Sequence, residues 1–402
     1  MKDALVGRQP IFDSELRVVA YELLYRSDQP TGPGGLDGDQ ATSEVILNTF
    51  MGIGLERLVG SRRAFINFTA KLLQNDDPFP LFHQRVVLEI LEDIEVDDEL
   101  INAVKALVRQ GYTVALDDFS YHPSWEPLID LAEIIKVDVL AMDIAETRAL
   151  VERLKGRNVK LLAEKVETLE EYQAYRDMGF HYFQGYFFSK PTIVRGQVMA
   201  GDRLSILRLL ARLQDPAAEV EEIEQIISAD VAMSYKLLRY INSASFSLQQ
   251  AVESIRWAVV FVGLGVVRRL ASIVAMARIE DKPNELMNVA FTRAQMCLLL
   301  AQKARLPDAD KYFVVGLFST LDALLDTPME EIVSKLPLSD EINDALLNRW
   351  GPMGQALACA QAYEQCRWSA VVFRNMDTET ITEIFATASA ASFSAMSELM
   401  AD

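Results

Sequence analysis

The chain has 402 residues, half of them apolar and 24% charged, with a formal net charge of −19. That length exceeds one compact core and predicts roughly two or three domains. The acidic balance disfavours DNA or RNA as a partner, since polyphosphate binding needs a positive field, but it leaves room for a small anionic ligand held through a divalent metal.

In chain order, the first half alternates β-rich runs with amphipathic stretches. Strands are predicted at Val18–Arg26, Ala64–Phe68, Val86–Leu91, Thr113–Phe119, Ile134–Val139, Lys160–Val166 and His181–Tyr186. A surface loop rich in Gly, Pro and Asp is expected at Gln29–Asp39. Helical patterns at Asp98–Gln110 and Leu169–Met178 are followed by Gly111 and Gly179, which read as helix ends. Strand and helix repeated in this way imply parallel pairing, and seven or eight units predict a closed barrel rather than an open sheet. After Pro191 the strand signal fades. From Arg203 the apolar positions recur at three- and four-residue spacing: Leu204, Leu207, Leu210 and Leu213, then Ile223, Ile226, Ile227 and Val231. The Asp215-Pro216, Lys282-Pro283, Leu306-Pro307 and Thr327-Pro328 pairs mark helix breaks. The longest apolar stretch, Trp257 to Val267, contains Gly263 and Gly265 and is far short of a membrane span. No basic region followed by an apolar run opens the chain. The three cysteines, Cys297, Cys359 and Cys366, form no CxxC pair and are odd in number. A cytoplasmic protein with reduced thiols, off the membrane, is the expectation. The boundaries are set at 1–198 for the barrel and 199–402 for the helical half.

Polar residues recur at the ends of the predicted strands: Glu22, Asn67, Glu89, Asp117 with Asp118, Lys136, Glu164 and Gln184. In a (β/α) barrel the strand C-terminal ends converge on one mouth, where active sites sit. Carboxylates inside apolar strands are costly unless paired or metal-bound. Hard oxygen donors suit Mg2+ or Mn2+, and such a set with a lysine fits two-metal phosphodiester hydrolysis. His122 and His181 read as ordinary surface or packing residues.

Over about residues 1–192 the order and wording resemble the EAL family of cyclic-di-GMP phosphodiesterases. The carrying residues are Gln9-Pro10-Ile11, Glu22-Leu23-Leu24-Tyr25-Arg26, Ile66-Asn67-Phe68, Glu89-Ile90-Leu91-Glu92, Ala115-Leu116-Asp117-Asp118-Phe119, Ile135-Lys136-Val137-Asp138, Ala163-Glu164-Lys165-Val166-Glu167, and Gln184-Gly185-Tyr186 through Lys190-Pro191. The resemblance implies a TIM-like (β/α)8 barrel. It implies metal ligands at Glu22, Asn67, Glu89 and Asp117, with Asp117 bridging to a second ion and Asp118 helping. Lys136 and Glu164 would orient or activate water, and Gln184 would hydrogen-bond within the cluster. Arg26, Gln9 and Pro191 would contact the substrate, and Glu92 and Glu167 would support the neighbouring loops. Two departures stand out. Ser120-Tyr121-His122-Pro123-Ser124-Trp125 replaces the glycine-containing GTGYSS of active members, a loop that also influences dimer contacts, and Lys165 replaces the Gly of AEGVE.

From about residue 204 the chain resembles the HDOD family, an all-α relative of the HD phosphohydrolases. Ile226-Ile227-Ser228-Ala229-Asp230, Leu237-Leu238-Arg239-Tyr240-Ile241-Asn242-Ser243-Ala244 and the Ser254-Ile255, Ala258-Val259, Gly263-Leu264 segment carry it. All three histidines, His83, His122 and His181, precede residue 192, so the helical half lacks the nitrogens an HD metal site needs. Asn242 and Ser243 are expected to end a helix and bond locally. Together these implications describe a signalling protein that binds cyclic di-GMP and Mg2+ or Mn2+ with weak or conditional hydrolysis. Its helical module would contact a protein partner, and homodimerisation is a further expectation. Full phosphodiesterase activity and a catalytically dead scaffold remain the alternatives.

Overall fold

A computed structural model describes residues 4–27, 54–73, 83–185, 187, 201–243, 246, 250–279 and 282–399. Eight strands close into a barrel in chain order. They are β1 (Ala4–Asp13), β2 (Val18–Ser27), β3 (Arg63–Phe68), β4 (Val86–Ile90), β5 (Thr113–Leu116), β6 (Ile134–Asp138), β7 (Lys160–Glu164) and β8 (Tyr182–Gln184). From β2 to β8 every pairing is parallel, as the sequence predicts. β1 is the exception: the sequence predicts no strand there, and it runs antiparallel to both β2 and β8. Gly7, Arg8, Gln9 and Pro10 dilute its β signal. Pro10 is tolerated because β8 pairs only with Ile11, Phe12 and Asp13.

Local chemistry sets where the strands stop. β5 ends at Leu116, short of the expected Phe119, because Asp118 adopts φ 39°. β7 stops before Lys165 at φ 59°, and β8 before Gly185 at φ 149°. On the outside, Asp97 accepts from the Leu100 amide at 2.8 Å to begin the helix Asp98–Arg109. Capping boxes of Asp143 with Glu146 and of Thr168 with Glu171 begin Ile144–Leu154 and Leu169–Met178. Gly179 ends the latter helix at φ 108°. Ile11, Ala20, Phe65, Val87, Ala115, Ile134 and Leu162, with Tyr182 packed against them, fill the barrel interior. The Gln29–Asp39 loop and Pro191 lie outside the described residues.

The second half is helical, and its proline-marked breaks hold. Pro283 and Pro328 each precede a helix, Asn284–Lys303 and Met329–Val333. Gly263, at φ 87°, splits the apolar stretch into the helices Ile255–Val262 and Leu264–Met276. Ile223, Ile226 and Ile227 are buried as expected, but Val231 is exposed. The stripe breaks there because Asp230 caps a new helix, Val231–Ile241, through the Met233 amide at 2.9 Å. Among the described residues, no helix is long and apolar enough to cross a membrane.

The chain divides into two compact units. One takes Met1–Phe188 with the later segments Glu364–Trp368 and Asp377–Thr382, and the other takes Ser189–Tyr363, Ser369–Met376 and Glu383–Asp402. The two later segments that group with the barrel lie in the stretch that the sequence boundary of 198/199 assigned to the helical half.

Candidate functional site

Successive strand residues face opposite sides, so residues two apart share a face. Two positions beyond the apolar layer, every strand therefore presents a polar side chain to the same level of the barrel: Gln9, Glu22, Asn67, Glu89, Asp117, Lys136, Glu164 and Gln184. β1 runs the other way, and Gln9 accordingly precedes Ile11 where the other strands place the polar residue after the apolar one.

Lys136 is fully buried at the centre of this layer. Its Nζ lies 2.5 Å from Glu89 Oε1, 2.6 Å from Asp117 Oδ1, 3.0 Å from Glu164 Oε1 and 3.4 Å from Glu22 Oε1. Gln184 Nε2 donates to Glu22 Oε2 at 2.5 Å and to Gln9 Oε1 at 3.0 Å. Burial opposes the charge on Lys136, but Glu22, Glu89, Glu164 and Asp117 outweigh it and hold the ammonium well above its ordinary range. Burial pushes Glu89 well above the carboxylate range and Glu164 up to about 8, with Lys136 pulling both back. One ammonium cannot balance the charge of four buried, ionised carboxylates.

The layer also retains acceptors with nothing to accept. Asn67 Oδ1, Glu89 Oε2, Glu164 Oε2 and Gln184 Oε1 are buried without a hydrogen-bond partner. Such orphans cost about 1–3 kcal/mol each, more for charged groups. A hard, oxygen-seeking divalent ion would satisfy them, so the donor set fits Mg2+ or Mn2+. Among the described residues, no three acidic, histidine or cysteine side chains converge in ready-made metal geometry. In the barrel the carboxylates converge on Lys136 instead, and an ion would compete with that ammonium.

The other expected site residues fall elsewhere. Asp118 leaves the layer because of its left-handed backbone and lies 3.8 Å from Lys165 Nζ. Arg26 ends up near the close of β2, paired with Leu5 of β1. Glu92 and Glu167 are exposed. Support for the loop after β7 comes from Glu171, whose Oε2 accepts from the Glu167 and Thr168 amides at 2.8 and 3.2 Å. The capping spacing from Thr168 to Glu171 was the signal for that residue. His122 accepts from the Ser124 amide to start a short turn, and His181 Nδ1 accepts from the Leu161 amide, so both bond locally. The Ser120–Trp125 segment is pinned rather than loose. Trp125 is buried edge-on to Phe119, Tyr121 donates to Glu126 at 2.7 Å, and Arg157 pairs with Glu126 at 2.5 Å.

One feature of the mouth had no sequence signal. Gly7 lies two residues from Gln9 and shares its inward face. A Cβ there would meet Cys366 Sγ at 2.6 Å and the Trp368 ring at 2.7 Å. Burial, with Glu22 adding to it, pushes the Cys366 thiol up to about 12, which leaves it an inert packing group.

In the helical unit, the place where a metal dyad would be sought holds a guanidinium. Arg293 Nη1 donates to Ser319 Oγ at 2.8 Å, and burial raises nearby Asp322. Gly316 allows the helix Ala309–Phe318 to approach the backbone of Arg293 and Ala294. Asn242 brackets Val252 with two hydrogen bonds of 2.7 and 2.8 Å, the local role expected of it.

The EAL domain pattern matches residues 57–191, and the HDOD domain pattern matches 204–334. The cyclic di-GMP phosphodiesterase CdgJ of Vibrio cholerae is 36% identical over 92% of this chain and 87% of its own length. The chain belongs to the EAL–HDOD family. The Bacillus subtilis member YuxH is 37% identical over 90% of this chain and 91% of its own. A solved EAL-domain protein of Listeria monocytogenes is 22% identical, covering 46% of this chain and 87% of that one with a TM-score of 0.36.

Proposed function

We propose that this EAL–HDOD protein binds cyclic di-GMP with a divalent cation, Mg2+ or Mn2+, at the barrel mouth, and opens the cyclic ring at a low or conditional rate. The observation that carries the reading is the eight-residue polar layer, with four buried carboxylates on one ammonium and several acceptors left over. The likeness to CdgJ over nearly the whole chain supports the substrate class.

Glu22, Asn67, Glu89 and Asp117 would hold the cation, which supplies charge neutralisation at phosphorus and an acidified water. Lys136 keeps its proton and remains a fixed positive charge among the carboxylates, where it stabilises negative charge building on the phosphoryl oxygens. Glu164, once a bound cation has expelled its proton, would accept a proton from the attacking water. Gln184 holds Glu22 in place. Arg26 provides the guanidinium for a substrate phosphate. The helical half acts by contact with a protein partner, its Arg293–Ser319 pair standing where metal chemistry would need ligands.

A second reading, binding with no turnover, draws support from Lys136 sitting on the carboxylates and from the pinned Ser120–Trp125 segment. Incubating the full chain with cyclic di-GMP and Mn2+ separates the two. Calorimetry reports binding and chromatography reports linear dinucleotide. Binding with slow product formation is expected, and binding without product over a long incubation selects the second reading. No binding by wild type would overturn both.

A further inference from the structure

Beside the polar layer, the mouth holds a second acidic pair with its own cation. Asp138 uses Oδ1 to accept from the Leu140 and Ala141 amides at 2.8 and 3.1 Å, and its Oδ2 receives Lys165 Nζ. Asp118 Oδ1 lies 3.8 Å from the same ammonium.

The backbone makes this more than an incidental ion pair. Lys165 sits at φ 59°, a region that residues other than Gly, Asn and Asp adopt less readily, and Asp118 at φ 39°. A half-exposed ion pair returns little stability, less than the left-handed backbone of Lys165 costs. Stability alone therefore does not explain why a lysine occupies a position that suits glycine. Asp118 directly follows Asp117 of the polar layer, and Asp138 lies two residues past Lys136, so the pair flanks that layer beside the residue that the resemblance would have bridge to a second ion.

We propose that Lys165 is a resident cation for the Asp118–Asp138 pair, occupying the position of a second divalent ion, so that the mouth takes one exchangeable ion and not two. The proposal rests on reading Glu22, Asn67, Glu89 and Asp117 as the first ion's ligands. Lys165 Nζ bonds Asp138 Oδ2 and lies 3.8 Å from Asp118 Oδ1, so a dication at those two oxygens would have to displace it. The fixed charge also leaves that side of the mouth neutralised at every metal concentration.

The test counts ions on the full-length protein by equilibrium dialysis against Mn2+ with elemental analysis, and by electron paramagnetic resonance, in which two neighbouring Mn2+ ions couple. Wild type is expected to hold one uncoupled Mn2+. Lys165→Gly, which removes the ammonium and suits the left-handed backbone, is expected to hold two and show the coupled spectrum. Lys165→Asn, uncharged and tolerant of that backbone, should behave like Lys165→Gly, and Lys165→Arg should stay at one. Two ions on wild type would overturn the proposal and leave the first-ion reading standing. One ion on both neutral variants would overturn it in the same way. No ion on wild type would remove the first-ion reading and this proposal together.

Discussion

Both halves bury charged and polar groups, yet they treat them differently. Among the described residues of the helical half, many buried polar groups meet partners of their own, and the side-chain atoms that do not, the Thr292 and Ser389 hydroxyls among them, include no carboxylate oxygen. Arg293 bonds to Ser319, Asn288 accepts from Ser392, and Gln214 bonds to Ser272. In the barrel, four carboxylates crowd one lysine, and Asn67, Glu89, Glu164 and Gln184 keep buried acceptors unused. A satisfied polar core rigidifies a fold, whereas a clustered excess of acceptors marks a place that binds something. That contrast supports the proposal that the barrel mouth is the ligand site.

The largest expected effect comes from removing the one cation of that cluster. Lys136→Met leaves the carboxylates uncompensated and should destabilise the metal-free protein by about 3–5 kcal/mol at neutral pH. Denaturant unfolding should show Mn2+ restoring much of the loss, because the ion replaces the ammonium. Equal instability with and without Mn2+ would mean the cluster has no affinity for the ion.

A backbone constraint at the same mouth comes next. Gly185 adopts φ 149°, and a Cβ there would collide with the Val166 backbone. Gly185→Ala should cost about 1–3 kcal/mol from the backbone conformation alone, visible as a lower melting temperature. It should also weaken nucleotide binding, since Gln184 precedes it. An unchanged melting temperature would show that the β8 end relaxes freely.

The helical half supplies the contrast. Asn242→Ala removes both hydrogen bonds to Val252 and should cost about 1–2 kcal/mol. Nucleotide and Mn2+ affinities, measured by calorimetry, should not change. A loss of either affinity would contradict the division of labour between the halves.

How much of this was legible in the sequence differs by residue. The polar layer was legible because alternation along a strand is a rigid rule, so Glu22, Glu89 or Lys136 could be placed from neighbouring apolar residues. β1 was not, because Gly7 and Pro10 mask a strand whose direction only barrel closure reveals. Strand ends overran at Asp118 and Lys165, where side-chain identity gives no hint of a left-handed backbone. Lys165 was visible only as an odd letter in a glycine position, and its seat on Asp138 needed three dimensions. Cys366 and Trp368 stand more than 350 residues from Gly7 in the sequence, and no local pattern connects them.

The smallest effect is a proton linkage. Burial holds Glu164 at about 8, above its unfolded value. Its contribution to metal-free stability is therefore fully present below the unfolded pKa and is lost as pH rises through about 8. An entering cation expels that proton, so Mn2+ affinity should rise as pH approaches 8. Calorimetry in buffers of different ionisation enthalpy should report proton release. A pH-independent affinity would place the ion away from Glu164.

The most direct test of the central claim is a Mn2+ titration of wild type and Asp117→Ala, each followed by cyclic di-GMP. Wild type should bind the ion and then the nucleotide, and Asp117→Ala should lose the ion while remaining folded. Equal Mn2+ binding by both proteins would contradict the assignment of the polar layer as the site.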